Sequence, residues 1–393
     1  MKKRFSALAL VIACALTIII TCFGAGLYFF LNFGGTSGFA AALKFASIYH
    51  LMENYYVGEA DLEAATEAAF RAFVSTAGDR WSFYMSASEF EAYMAHRTNS
   101  FRGIGVTIID DETSGLFLVV DVVEESPAET AGIKVGDLLY AIDGESLKGK
   151  TSAEIRGIIQ DKTGEFEITL RCGNELERTV RLKAGPIFRN PVSYEMFEDN
   201  IGYVRIRNFS GGSAEGIVNA VESLIEDGAR AIVIDVRNNG GGLLDELVTA
   251  LDFLLPAGDL FVSRDRNGNE TVLTSGPNYV DIPLVVLINE NSHSAAEFFA
   301  AALSEYERAI LVGTRTEGKA RTQVNMRLPD GSAVHLSRTT YLTPNRVDLT
   351  ETGGLTPDIE IVISDEERAY LLMGLLEREA DAQILAALYF LRS

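Results

Sequence analysis

The chain has 393 residues, 47% of them hydrophobic, and a formal net charge of -21. That length leaves room for two or three domains with a sizeable core. The charge argues against nucleic acid as a partner, because phosphate neutralisation needs clustered Lys and Arg, and here they are spread thinly among carboxylates. Peptides and proteins are the better partners.

Residues 1–4, Met1-Lys2-Lys3-Arg4, are a basic cluster, and residues 5–31 form an almost unbroken apolar stretch. At ~1.5 Å per residue the stretch makes roughly 40 Å of helix, enough to cross a hydrocarbon core of about 30 Å. With the basic cluster held in the cytoplasm, this reads as a single-pass anchor in the cell membrane that leaves everything after Gly34-Gly35 extracytoplasmic. Phe39-Ala40-Ala41-Ala42 carries the competing signature, a cleaved secretion signal. Cys14 and Cys22 lie inside the apolar stretch and Cys172 outside it, so the ectodomain has no intramolecular disulfide to draw on.

After a Gly/Ser linker at 32–40, residues 41–100 show apolar positions at three- and four-residue spacing (Phe45, Ile48, Leu51, then Leu62, Ala65, Ala69), which predicts a small helical subdomain. Gly78-Asp79-Arg80-Trp81 marks a turn, and Ser88 with Glu91 predicts a capped start for another short helix.

Residues 101–184 change to short alternating strands at 103–109, 116–123, 137–142, 165–170 and 176–182, with one helix begun by Thr151 and Glu154. The expectation is a compact, partly open β-barrel. Glycines in Gly103-Ile104-Gly105-Val106 allow backbone N–H groups to converge on an anion, and Ile155 and Ile159, one turn apart, would wall an apolar trough opposite. This segment resembles a PDZ domain, through Phe101-Arg102-Gly103-Ile104-Gly105-Val106, Ser126-Pro127-Ala128 and Ala131-Gly132-Ile133-Lys134-Val135-Gly136-Asp137. The resemblance implies capture of protein C-termini ending in apolar side chains, the carboxylate in the glycine loop and the last side chain in the trough.

Residues 185–364 read as an α/β unit, with strands at 201–206, 231–236, 284–289 and 310–313 alternating with helices at 214–226, 243–254 and 294–306. Strands apolar throughout must be covered on both faces, and function is expected at their C-terminal ends. Residues 365–393 predict a closing helix too apolar to stay free, packed on the core or on a second copy as a homodimer.

Two loops follow two apolar strands: Arg237-Asn238-Asn239-Gly240-Gly241-Gly242 and Glu290-Asn291-Ser292-His293-Ser294-Ala295. A glycine triplet beside a helix N-terminus suits an oxyanion, so the N–H groups of Gly241, with Gly242 as the alternative, and of Ala295 are the candidate donors. Ser294 is the candidate nucleophile and Lys319 its base. A lysine base must lose its proton, which needs apolar surroundings and neutral acceptors such as the amide of Gln323. Taken alone, Ser294-Ala295-Ala296-Glu297 is also an ordinary capping box and Lys319 an ordinary surface charge. His335 on a strand, with Asp235, offers a competing Ser-His-Asp arrangement.

Ser292-His293-Ser294-Ala295-Ala296-Glu297, Gly318-Lys319-Ala320-Arg321-Thr322-Gln323, Asp235 to Gly242 and Gly354-Leu355-Thr356-Pro357-Asp358 together resemble the C-terminal processing peptidases, or tail-specific proteases. What the resemblance implies is a multidomain α/β (α+β) chain: a helical N-terminal segment, a PDZ-like β-barrel and a ClpP/crotonase-like α/β catalytic core. It also implies a Ser294–Lys319 dyad with Gln323 orienting the lysine, protein or peptide substrates, and no metal or organic cofactor. His293, Ala296 and Ala320 depart from the family pattern, and Ala320 would be strained if its position needs a positive φ. A silent scaffold that only binds tails is the rival from another class.

Overall fold

A computed structural model describes residues 7–392 apart from 33, 98, 112–113 and 173–175. The basic cluster Met1-Lys2-Lys3-Arg4 lies outside the described residues. The chain divides into two units, Met1–Gly78 and Asp79–Ser393.

The first unit holds three helices, α1 (Ala7–Asn32), α2 (Gly35–Tyr55) and α3 (Leu62–Ser75). In α1 the window Val11–Tyr28 is long and apolar enough to cross a membrane, by length and composition, and its side chains are exposed. Asp61 caps α3 by accepting the Ala64 N–H, and Phe45 of α2 stacks on Phe70 of α3 with ring centroids 6.0 Å apart.

The second unit opens with β1 (Phe83–Met85) and α4 (Ala87–Arg97). The cap of α4 lies two residues earlier than the sequence reading put it. Ser86 donates its N–H to Glu89 at 2.8 Å and accepts the Glu89 N–H at 3.4 Å, because β1 claims residues 83–85 and leaves Ser86, not Ser88, as the first residue out of the strand.

The PDZ-like module runs between two strands that pair with each other, β2 (Ser100–Gly103) and, at its exit, β9 (Gly185–Phe188). Between them lie β3 (Val106–Asp111), β4 (Leu116–Val122), α5 (Pro127–Thr130), β5 (Leu138–Ile142), β6 (Glu145–Ser146), α6 (Ser152–Asp161), β7 (Glu165–Cys172) and β8 (Leu176–Lys183). The sheet runs β3-β4-β5-β7-β8 with β6 on β5, and among the described residues no pairing joins β3 to β8 to close it. Thr151 and Glu154 form the expected reciprocal cap of α6. Its inward face, Ile155 and Ile159, packs with Ile104, Ile168 and Leu170.

The α/β part comprises β10 (Val192–Phe197), β11 (Ile201–Ile206), α7 (Ser213–Glu226), β12 (Ala231–Asp235), α8 (Leu244–Leu254), β13 (Asp259–Arg264), β14 (Glu270–Thr274), β15 (Leu284–Ile288), α9 (Ala295–Glu305), β16 (Ala309–Gly313), β17 (Arg321–Arg327), β18 (Ala333–Leu342), α10 (Leu349–Thr352), β19 (Ile359–Glu360), α11 (Asp365–Met373) and α12 (Ala382–Arg392). Its main sheet is ordered β10-β11-β12-β15-β16-β19, parallel except for β10. Every residue of β12 and β15 is buried. That is what continuous apolar strands require, and the cover is present on both faces: α7, α8 and α9 on one, Ile384, Ala387 and Leu388 of α12 on the other. A second sheet, β1-β18-β13-β14 with β17 on β18, builds the wall of the cleft described below.

The closing segment is two helices where the sequence reading had one. Gly374, at φ 74°, ends α11 in the left-handed conformation, and Arg378–Ala380 is a short 3₁₀ turn before α12. Of the two partners expected for this segment, α12 packs on the core of its own chain.

One buried ion network ties α12 to the loop after β12. Arg237, 2% exposed, donates to Asp235 (2.7 Å), to Asp381 (3.0 and 2.8 Å) and to the Gln383 amide oxygen (2.9 Å). Burial alone would push the Asp235 carboxyl up, but the guanidinium beside it outweighs that and holds it down to about 2. Asp381→Ala should therefore lower the unfolding free energy by about 3 kcal/mol, since it leaves half of a buried cation unmatched. Urea unfolding checks this, and an unchanged midpoint would contradict it.

Candidate active site

Three loops leave the C-terminal ends of β12, β15 and β16, neighbours in the parallel sheet, so residues far apart in sequence emerge side by side. Side-chain amides stitch the first two loops together. Asn289 Oδ1 accepts the Asn238 N–H at 2.9 Å, and Asn289 Nδ2 donates to Asn238 Oδ1 at 2.9 Å. Asn239 accepts the His293 N–H on its carbonyl and sends its side chain to the Ile206 carbonyl at 2.8 Å.

Ser294 follows at the start of α9 with φ 57° and ψ -125°. An ordinary N-cap has extended backbone with negative φ, so Ser294 is no mere cap; a non-glycine residue in this region is strained and persists only where its surroundings over-determine it. The glycine loop presses against it from outside. Gly241 has φ 88°, and a Cβ there would stand 2.7 Å from Ser294 Cβ and 2.9 Å from the Ala295 nitrogen. Only glycine allows that approach.

Glu297, fully buried one turn into α9, joins the second loop to the third. Its Oε2 accepts the N–H groups of Ser294 (3.0 Å) and Lys319 (2.9 Å), while Oε1 accepts Gly318 N–H (2.6 Å) and Thr316 Oγ1 (2.5 Å). Burial drives its carboxyl upward in pKa, against the pull of those four donors. The Tyr341 hydroxyl, beside that of Ser294, donates to the Lys319 carbonyl and fixes the same segment from the β18 side.

The Lys319 amine stands 4.0 Å from the centroid of the Trp81 ring, and Trp81 also packs against the His293 ring at 5.7 Å. Arg80 covers the same indole at 4.4 Å and pairs with Glu317. Among the described residues Lys319 forms no ion pair. Burial lowers its pKa from 10.5 to about 8, with the charge of Asp79 pulling back and that of Arg80 assisting. Gln323 lines the same cleft, but its amide nitrogen faces the Arg321 carbonyl (2.7 Å) and Ser337 Oγ (3.3 Å), and no hydrogen bond to Lys319 is present.

These groups open onto one cleft of about 640 Å³. Gly241, Gly242, Ser294, Ala295, Lys319 and Gln323 all line it, with Leu244, Leu247, Phe261 and Phe298 as an apolar wall. The Ala295 N–H has no partner among the described residues, whereas the Gly241 N–H donates to Asn239 Oδ1 at 2.8 Å.

His335 lines the cleft as well but is not part of a triad. Its Nδ1 pairs with Asn325 Oδ1 at 2.7 Å, its ring sits among Phe83 and Tyr93, and burial with the nearby Lys319 charge lowers its pKa to about 4. Asp235 is consumed by Arg237 and by the Tyr203 hydroxyl at 2.7 Å. Ala320 carries no positive φ and is buried, so the strain expected for it is absent. In the PDZ-like module Gly105 does need its φ of 88°, since a Cβ would lie 2.3 Å from Ser126 Cβ. Ile104, Ile155 and Ile159 are at most 7% exposed and belong to the module's core, and Gly103 is already paired with Gly185, so these residues do not form an open trough in this arrangement. Val106 begins β3 opposite Val122.

The sequence alone does not reveal the parts of Trp81, Arg80 and Tyr341 or the tying role of Glu297. The signal it had for Trp81 was a turn containing the chain's one tryptophan.

Comparison with known proteins gives a consistent result. The model of peptidase family S41 matches residues 200–361, and that of the PDZ domain matches residues 118–172. A chloroplastic C-terminal processing peptidase of Tetradesmus obliquus is 30% identical over 335 residues, 80% of this chain and 72% of that protein. The carboxy-terminal processing protease CtpA of Bacillus subtilis is 29% identical over 327 residues, 82% and 69%. Among solved structures, a photosystem II D1 C-terminal processing protease aligns at TM-score 0.51 and 27% identity, covering 86% of this chain and 92% of that one. An S41 protease structure from Bacteroides fragilis aligns at TM-score 0.59 and 20% identity (88% and 96%), a likeness of fold.

Trp81 provides an optical reporter of the amine above it. Its emission should change in one step as pH rises through about 8, and Lys319→Met should remove the step. A fluorescence titration that is flat between pH 7 and 10 would contradict the placement.

Proposed function

The chain belongs to peptidase family S41, among the serine-type C-terminal processing peptidases with a PDZ domain, and we propose that it is a membrane-anchored endopeptidase working through a Ser294–Lys319 dyad. The observation that carries this reading is a strained serine and an amine drained of much of its basicity, held in one cleft by one buried carboxylate.

In this mechanism Ser294 Oγ attacks the scissile carbonyl while neutral Lys319 accepts its proton and returns it to the leaving amine. The N–H of Ala295 is free to receive the oxyanion, and that of Gly241 joins it once released from Asn239. Lys319 rests over Trp81 in the cleft that Ser294 and Gln323 also line, and in the working dyad its amine turns to Ser294 Oγ with the Gln323 amide oxygen as its orienting acceptor. The apolar wall of Leu244, Leu247, Phe261 and Phe298 receives a hydrophobic side chain beside the scissile bond. The PDZ module grips apolar C-termini through Gly103 to Val106, with α6 shifting to open the space that Ile155 and Ile159 now fill. Helix α1 tethers the protein with its catalytic part outside the cytoplasm.

Ser294→Ala and Lys319→Ala should each lower kcat/KM on a quenched peptide by about 1,000-fold or more, while His335→Ala keeps most of it. Substantial turnover by the lysine variant would retire the dyad. Because the neutral amine is the active form, kcat/KM should climb with pH and level off above about 8. In Trp81→Ala water reaches the amine, so that limb should move to higher pH, and a downward move would contradict burial as the cause. Glu297→Gln, which turns two of four acceptor sites into donors, should cost about 100-fold in kcat/KM through misplacement of both loops. A loss under threefold would show that Glu297 does not hold them.

A further inference from the structure

The cleft differs in charge from the protein that carries it. Its lining holds Arg97, Lys319, Arg321 and Arg338 against a single carboxylate, Asp265, while the whole chain stands at -21. Asp265 is taken up by its own turn, accepting the N–H groups of Asn267 and Asn269 and the Asn269 side chain at 2.8–2.9 Å. Arg321 is paired with Asp348 at 3.3 Å. Arg97 and Arg338 are different: among the described residues neither meets a carboxylate, and Arg97 has only the Tyr93 hydroxyl and ring beside it.

Arg338 owes its position to an irregularity. In the β17–β18 ladder Thr322 faces Thr339 and Gln323 faces Ser337, so Arg338 is the extra residue of a β-bulge. A bulge breaks the alternation of faces and re-aims a side chain, and Arg338, itself exposed, lines the cleft together with Gln323 and Thr339. Arg97, at the end of α4, arrives from another element, and its charge is felt by both Lys319 and His335. Unpaired guanidiniums in a cleft focus the field on an incoming anion and bind a carboxylate in a two-pronged geometry.

We propose that Arg97 and Arg338 form a subsite for a carboxylate of the bound polypeptide, supplied by an acidic side chain near the scissile bond or by the chain terminus. The inference rests on the peptidase reading of the cleft. It makes the site two-sided, with an apolar side chain on the Leu244–Phe298 wall and a negative group opposite, and so selects among the many chains that a main-chain binding mode would admit.

The test uses the full-length protein in detergent and quenched peptides that share one apolar core. One set carries Glu or Gln at each position in turn around the scissile bond with the C-terminus amidated; a second set is all-neutral with a free or an amidated terminus. The expected result is one Glu position, or the free terminus, that raises kcat/KM about tenfold over its neutral counterpart. Which set responds tells side chain from terminus. In Arg338→Ala and in Arg97→Ala that ratio should fall toward one, whatever the absolute rate, and Arg338→Glu should prefer Lys at the responsive position. A charge-swapped preference is not something a merely structural arginine would produce. The proposal is overturned if no carboxylate alters the rate, or if the preference survives in both alanine variants. Should the protein cleave none of the peptides, the dyad is what fails, and anisotropy of the same peptides, labelled, on Ser294→Ala then makes the Glu-against-Gln comparison by affinity; equal affinities overturn the subsite.

Discussion

Four hydrogen bonds to one carboxylate organise this molecule's chemistry. Glu297 sits where no water reaches it and collects donors from two chain segments: the amide of Ser294, and the Thr316-to-Lys319 stretch through two amides and a hydroxyl. A buried carboxylate without such partners would be untenable, so the segments cannot separate without stranding it. The backbone of the serine and that of the lysine are thereby tied to one group, and the side chains that the proposed dyad needs take no part in the tie.

The energetic logic of the rest follows from that tie. The amine of Lys319 must be poor in water yet not answered by a nearby carboxylate, because an ion pair would keep its proton on. The fold meets this by spending Glu297 on the donors of the two loops and Asp79 on the Trp81 amide and the Ser82 hydroxyl, and by covering the amine with Trp81. A second closed network, Arg237 with Asp235, Asp381 and Gln383, absorbs the acid that a histidine triad would have needed and anchors the glycine loop to α12. Charge is thus sequestered on both sides of the cleft, whose lining keeps four cationic side chains and one carboxylate, Asp265.

Much of this was legible in the sequence. Continuous apolar strands such as Leu284–Ile288 announced a covered sheet, and the loops after them announced where function sits, because parallel strands point their ends the same way. The Thr151–Glu154 cap was readable since both partners lie in one short stretch. What stayed hidden depends on distant contacts. No local pattern tells that Ser294 is held at φ 57°, for the Gly241 loop that forces it comes from another strand end. Ile155 and Ile159 have the spacing of a groove wall, and spacing alone cannot say whether the groove is open or filled by the module's own core. The α4 cap slipped by two residues because Ser86, Ser88, Glu89 and Glu91 offer overlapping choices that only β1 decides. The closing segment looked continuous since its leucines keep helical spacing across Gly374.

The protonation of one amine decides whether Lys319 can serve as a base, and it is directly observable. With lysine labelled for heteronuclear NMR and Lys319 assigned by its absence in Lys319→Arg, the side-chain shifts should titrate near 8, well below the ordinary 10.5. A Lys319 signal that stays protonated beyond pH 10 would contradict the account, whatever the peptide assays show.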